Sequence, residues 1–91
     1  MYMPVSFGIR SAFPNQFNPA TSVDFVLPGF GIAELNVYSI SGQLVLTLFA
    51  GTMNAGSHQV IWNATRHSSG VYLVVLESEG RKDSRKVVFM K

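Results

Sequence analysis

Apolar and polar side chains alternate along most of this chain, in short runs separated by glycine, proline, asparagine and serine. A period of two is the spacing of β-strands, whose successive side chains point to opposite faces. In Thr21-Ser22-Val23-Asp24-Phe25-Val26-Leu27 the pattern sets Val23, Phe25 and Leu27 on one face. A Pro28-Gly29-Phe30-Gly31 turn follows, and then Ile32 to Ile40, with Ala33, Leu35 and Val37 opposed to Glu34 and Asn36. The segment Ser39-Ile40-Ser41-Gly42-Gln43 turns the chain, with Gly42 where a left-handed residue is wanted. Leu44 to Phe49 is the next strand, with Leu44, Leu46 and Leu48 as its inward set, and Ala50 to Ser57 reads as a loop. His58 to Asn63 is a strand and Ala64 to Gly70 a polar loop. Val71 to Ser78 is apolar at nearly every position, which predicts a central strand covered on both faces. Glu79 to Asp83 forms a charged hairpin turn, and Ser84 to Lys91 the last strand, where Val87 and Phe89 alternate with Lys86 and Val88.

No stretch carries a 3.6-residue apolar period with caps. Short strands with turn signals at roughly 8–12-residue spacing predict an all-β fold: an Ig-like or fibronectin-type antiparallel β-sandwich of about seven short strands. Residues 1–10 read as a linker or irregular first strand, and residues 11–91 as the domain. Between them lies Phe13-Pro14-Asn15-Gln16-Phe17-Asn18-Pro19. Each proline fixes its own φ and pushes the residue before it to extended geometry. Asn15 and Asn18 suit Asx turns. The segment is a rigid corner, with Phe13 and Phe17 available as plugs for one end of a core.

Composition agrees with a dense small core. The chain has 91 residues, of which 47% are hydrophobic and 13% charged, about half the usual ~25%. There is no cysteine, so disulfides, thiolate catalysis and thiolate metal sites are excluded. No window approaches about 18 uninterrupted apolar residues, so no membrane-spanning helix is expected. Met1-Tyr2-Met3-Pro4 does not open a signal peptide; for an exported protein that signal is expected upstream in a longer parent or elsewhere in the chain. The net charge is +2, and Arg81, Lys82, Arg85, Lys86 and Lys91 crowd the end of the chain. They read as solvent faces of the last hairpin rather than as a nucleic-acid surface, which would interleave a larger basic face with aromatics.

Candidate chemistry is sparse. His58 and His67 lie on different segments with no carboxylate nearby in sequence, short of a metal-ligand set. Asp24, Glu34, Glu77, Glu79 and Asp83 fall on solvent faces and a hairpin tip, not across a cleft as glycosidic catalysis requires. Asp24 stands without the alternating acids of a calcium loop. No Gly-x-Ser-x-Gly elbow is present, and Asn63-Ala64-Thr65 is a bare sequon. No cofactor, metal or catalytic residue is expected. Of the aromatics, Trp62 and Tyr72 read as core, and Phe30 is the best exposed candidate for a sugar contact.

In order along the chain, five segments carry a resemblance. They are Phe13-Pro14-Asn15-Gln16-Phe17-Asn18-Pro19-Ala20-Thr21, Val37-Tyr38-Ser39-Ile40-Ser41-Gly42-Gln43, Ala55-Gly56-Ser57-His58 with Val60-Ile61-Trp62-Asn63, Ser69-Gly70-Val71-Tyr72, and Arg85-Lys86-Val87-Val88-Phe89-Met90-Lys91. The pattern resembles the type A C-terminal sorting domain of the Bacteroidota type IX secretion system, and its sandwich is similar to the Ig-like domain of flagellar hook-capping proteins. The family's opening reads Tyr-Pro-Asn-Pro-Phe-Asn-Pro-x-Thr and its turn hydrophobic-Tyr-Asp-x-x-Gly-Arg/Lys. This chain departs from the family at Gln16, Ser39 and Asn63. The resemblance implies a non-catalytic module at the end of a larger secreted protein, carried from the periplasm across the outer membrane to the surface or the medium. It implies as partners an outer-membrane translocon, a sortase-like surface protease and an upstream cargo domain. Cleavage is expected within or upstream of Tyr2 to Ser11. Arg85, Lys86, Val88, Met90 and Lys91 on the last strand, with Asn15, Phe17 and Asn18 at the corner, are the candidate contacts, and sheet-edge pairing at Val87 to Lys91 is one mode of capture. Two other readings fit the same residues: a structural Ig-like spacer or capping module, and a small glycan-binding module of a polysaccharide-degrading enzyme.

Overall fold

The structure is a computed structural model that describes residues 7–13, 16, 17 and 19–90, with the backbone only at 13, 16 and 17. Eight strands are found among these residues: β1 (Gly8–Phe13), β2 (Gln16–Phe17), β3 (Ala20–Leu27), β4 (Gly31–Ser39), β5 (Leu44–Met53), β6 (Gly56–Asn63), β7 (Gly70–Ser78) and β8 (Arg81–Phe89). They form two sheets, one in the order β1-β3-β6 and the other in the order β2-β8-β7-β4-β5. The β3–β4, β5–β6 and β6–β7 connections cross between the sheets, while β4–β5 and β7–β8 are hairpins. This is an immunoglobulin-like sandwich. Its ladders are antiparallel except where β2 runs parallel to β8, pairing Gln16 with Val88 and Phe17 with Phe89. The proline corner therefore feeds a two-residue strand onto the flank of the last strand.

The alternating residues supply the core. Val23, Phe25 and Leu27 from β3 face Ala33, Leu35 and Val37 from β4, Val74 and Leu76 from β7, and Val87 and Phe89 from β8, all buried. Trp62 joins them from β6, its ring edge-on to Tyr72 at 5.2 Å and 81°. β7 is the middle strand of its sheet, as its apolar run predicts. Cover on both faces is not complete, because Val71 and Leu73 stay half-buried on the outer side.

Three local readings are corrected. Ala50 to Ser57 is not a loop: β5 continues to Met53 and β6 starts at Gly56, leaving Asn54 and Ala55 as the connection. Leu44, Leu46 and Leu48 are not one inward set. Pairing with β4 runs Leu35–Phe49, Asn36–Thr47, Val37–Leu46 and Tyr38–Leu44, so Leu48 and then Val45 are skipped. Each skipped residue is a bulge that flips the phase of the side chains. As a result Leu44 is 57% exposed, while Val45, Leu46, Leu48 and Phe49 all pack partly against the core. The β7–β8 turn is also tighter than Glu79 to Asp83. Ser78 pairs with Arg81, and Glu79 and Gly80 alone turn the chain at φ of 50° and 79°. Two positive φ values in a two-residue loop define the type I′ hairpin, whose twist matches that of the strands.

β1 is an edge strand, and its exposed backbone is held by side chains of β8. The register of β1 against β3 shifts between Ile9 and Ser11. There the Ile9 N–H donates to Asp83 Oδ2 at 2.8 Å, and Arg85 Nη2 donates to the Ile9 carbonyl at 2.9 Å. Asp83 and Arg85 thus close the seam between the two sheets on that side. Space at the seam is tight: Gly8 has φ of +142°, and a Cβ there would lie 2.8 Å from Asp83 Oδ2.

Three consequences can be measured. Leu76→Ala is expected to cost about 2–5 kcal/mol, read as a lower urea midpoint at an unchanged denaturant slope. Asp83→Ala is expected to cost about 1–2 kcal/mol and to speed hydrogen exchange at the Ile9 amide while leaving the Val74 amide protected, because only one buried-side donor loses its acceptor. Glu79→Asn is expected to raise the melting temperature by several degrees, since asparagine tolerates the left-handed region roughly 1 kcal/mol better than glutamate.

Candidate recognition surface

Among the described residues no three of His, Cys, Asp and Glu gather to hold a metal ion. His58 Nε2 bonds the Asn54 carbonyl at 2.7 Å and the ring tilts against Phe25. His67 lies beside Trp62, with ring centroids 5.8 Å apart. Asp24 sits on the outer face of the three-stranded sheet, where Gln59 Nε2 donates to it at 3.0 Å and the Ser11 and Ser22 hydroxyls at 3.4 and 3.3 Å. The carboxylate is occupied by its own neighbours. Glu34 and Glu77 stand opposite each other on adjacent strands, a juxtaposition the sequence did not disclose, and Lys82 faces Glu77 from β8. They line an open depression of this sheet face together with Ile32, Ser78 and Arg81. Trp62 at 1% and Tyr72 at 8% exposure are core residues, so they offer no flat aromatic face to a sugar; Phe30, 69% exposed, stands out in its turn.

Two of the departing residues, Ser39 and Asn63, organise turns. Ser39 Oγ accepts from the Gln43 N–H at 3.2 Å and contacts Ser41 Oγ at 2.8 Å, while the Gly42 N–H donates to the Ser39 carbonyl at 2.9 Å. Gly42 has φ of +92°, and a serine hydroxyl does the work of an Asx side chain in this turn. Asn63 Oδ1 accepts from the Thr65 N–H at 3.0 Å and from the Thr65 hydroxyl. The Ala64 N–H donates to the Pro19 carbonyl at 2.8 Å, and the Tyr72 hydroxyl donates to the Ser68 carbonyl at 2.6 Å. Pro19, the 64–69 loop and the Trp62–Tyr72 pair therefore meet at one end of the sandwich.

The candidate contact residues divide. Val87 and Phe89 are core, so Lys86 and Val88 point outward from β8, Lys86 exposed and Val88 half-buried. Met90, 49% exposed, follows the strand. Arg85 is committed to the Ile9 carbonyl. Phe17 lies in β2 with its Cα in register with Phe89. Asn15, Asn18 and Lys91 fall outside the described residues, as does the side chain of Phe17. Capture of the tail by edge pairing is corrected at Val88 and Phe89: β7 flanks β8 on one side and β2 on the other, so both edges are occupied there. At Val88 and Phe89 the backbone is paired on both sides, while the Val88 side chain faces outward. Sequence reasoning missed this because the pairing of β2 depends on where the corner lands.

No curated protein matches the chain. Among solved structures, it is similar to the alkylpurine DNA glycosylase AlkC of Pseudomonas fluorescens, solved bound to DNA containing an abasic site analog. The identity is 14% and the TM-score 0.50, over 97% of this chain and 30% of that one, a likeness of fold alone. A family model described as the secretion system C-terminal sorting domain matches residues 11–90. That match runs from within β1 to the residue after β8, and the chain therefore belongs to the secretion system C-terminal sorting domain family, the sorting signals of type IX secretion.

Proposed function

We propose that this domain is the folded, non-catalytic address of a larger parent protein, taken from the periplasm across the outer membrane by the type IX translocon. The observation that carries the reading is the family match over residues 11–90, laid on a sandwich whose last strand is built into the core. A signal read after folding needs side chains at fixed positions, and β8 provides them. Lys86, Val88, Met90 and Lys91 are the tail's contacts in this reading, together with Asn15, Phe17 and Asn18 of the corner. Arg85 acts by holding β1 in place rather than by touching the translocon. A sortase-like surface protease would then release the domain and anchor the cargo at the cell surface. Its cut belongs ahead of Gly8, because β1 is paired with β3 from Gly8 onward and Ile9 is buried.

Removing Val87 to Lys91 would take two core side chains with it, so loss of export on that deletion would not separate recognition from folding. A cleaner experiment fuses a reporter enzyme ahead of residue 1 in a host with a type IX system. Reporter is expected on the cell surface or in the medium with the chain attached, and to be retained in the cell without it. Leu76→Asp, which puts a charge in the core, is expected to abolish export. Retention of the reporter with the unsubstituted chain attached would sink the sorting reading. Export of the unfolded Leu76→Asp variant would show that the address is not read from the fold.

A further inference from the structure

β7 is written for burial on both faces, and the fold buries only one of them fully. Tyr72, Val74 and Leu76 enter the core; on the outward face Val75 is buried at 8% exposure, while Val71 and Leu73 are left half-buried. Their neighbours across the ladders extend the apolar character over four strands. Val71 stands opposite Val88, Leu73 lies between Lys86 and Tyr38, and Tyr38 pairs with Leu44. Tyr38, Val71, Leu73 and Val88 are half-buried, Leu44 is 57% exposed, and Ile40, in the adjoining turn, is 68% exposed. Strand propensity alone does not account for this grouping. The other end of the same face carries Lys82, Glu77 and Glu34, so this sheet tolerates charge wherever solvent is its only neighbour. A contiguous apolar area with a polar border is the mark of an interaction site.

We infer that Tyr38, Leu44, Val71, Leu73 and Val88, with Ile40 beside them, form the docking face of this domain, and that its occupant is a protein of the export machinery presenting an apolar surface bordered by carboxylates. The inference rests on the sorting reading and names the surface through which sorting is read. Charge selects the occupant. Lys86 stands in the same cross-strand row as Leu73, Tyr38 and Leu44, and the carboxylates of this face, Glu34 and Glu77, lie four residues further along their strands, roughly 13 Å away. A second copy centred on this row would set Lys86 against apolar side chains, with Glu34 and Glu77 roughly 13 Å away. An anionic membrane spread over the whole face would meet Glu34 and Glu77. A protein surface with carboxylates at its border satisfies Lys86 and buries the apolar row.

The reporter fusion tests this with substitutions on outward-facing positions. Leu44→Glu combined with Leu73→Glu is expected to lower exported reporter about tenfold or more, with the circular dichroism spectrum and melting temperature of the purified chain preserved. Should Leu73→Glu disturb folding, Leu44→Glu with Ile40→Glu, at positions already in solvent, carries the same test. Lys86→Glu is expected to lower export and Lys86→Arg to retain it. Ile61→Glu, at a 64% exposed position on the other sheet, is expected to export normally. Folded face variants exporting within about twofold of the unsubstituted chain would overturn the docking face and leave the sorting reading standing. So would an equal loss with Ile61→Glu. Sedimentation of the purified chain as a dimer that Leu44→Glu dissolves would reassign the face to a second copy. Binding to phosphatidylcholine vesicles containing phosphatidylglycerol, lost in Leu44→Glu, would reassign it to lipid. If the unsubstituted fusion is not exported at all, the sorting reading falls first, and the face loses this partner with it.

Discussion

The structure closes on its last strand. β8 contributes Val87 and Phe89 to the core, takes β7 on one edge and the two residues of β2 on the other, and reaches across the open seam with Asp83 and Arg85 to hold the backbone of Ile9. A small all-β chain without disulfides has few other means of fixing its first strand, because an edge strand paired on one side leaves half its backbone groups unsatisfied. A carboxylate for the N–H and a guanidinium for the carbonyl satisfy both groups of one residue at the bulge. The first and last strands are therefore interdependent: β1 is positioned by side chains of β8.

That dependence bears on how such a domain can serve as an address. The outward side chains of β8 are fixed only when the whole sandwich is formed, since Lys86 and Val88 alternate with buried Val87 and Phe89. With both edges occupied at Val88 and Phe89, backbone pairing of a partner with the tail is closed off at these positions. The outward face of the five-stranded sheet is a separate surface, and its apolar end is assembled from β4, β5, β7 and β8. Recognition through such a face is recognition of the tertiary structure, because a single strand carries too few of the contacts. Several family segments serve this architecture from below: the Gly42 turn, the Asn63 turn and the Trp62–Tyr72 pair organise the turns and core behind the face.

The departures at Ser39 and Asn63 illustrate how turn chemistry tolerates substitution. A turn asks for an oxygen at a given distance from a backbone N–H, and the Ser39 hydroxyl and the Asn63 amide both supply it. The same reasoning accounts for Glu79 in the β7–β8 hairpin, where the two-residue register imposes a left-handed residue that glutamate adopts at a cost.

Period-two alternation in residues 21–27, 32–40 and 84–89, with glycine at the turns, was enough by itself to place Val23, Phe25, Leu27, Ala33, Leu35, Val37, Val87 and Phe89 in the core, because an isolated strand already knows which side chains share a face. The sequence could not locate the bulges at Val45 and Leu48, since a bulge is a property of a pair of strands and appears only when β5 is laid against β4. It could not distinguish a strand covered on both faces from one with a face left over, since Val71 and Leu73 are as apolar as Val74 and Leu76 and differ only in what stands over them. It placed Arg85 among the contacts of the tail, where its charge and position suggested it. The side chain turned to Ile9, 76 residues away in sequence, because folding brought an unsatisfied backbone carbonyl within its reach. Alternation along one strand is a local property, whereas the pairing of edges, the partner of each charge and the cover over each face depend on segments far apart in the chain, which only the tertiary structure brings together.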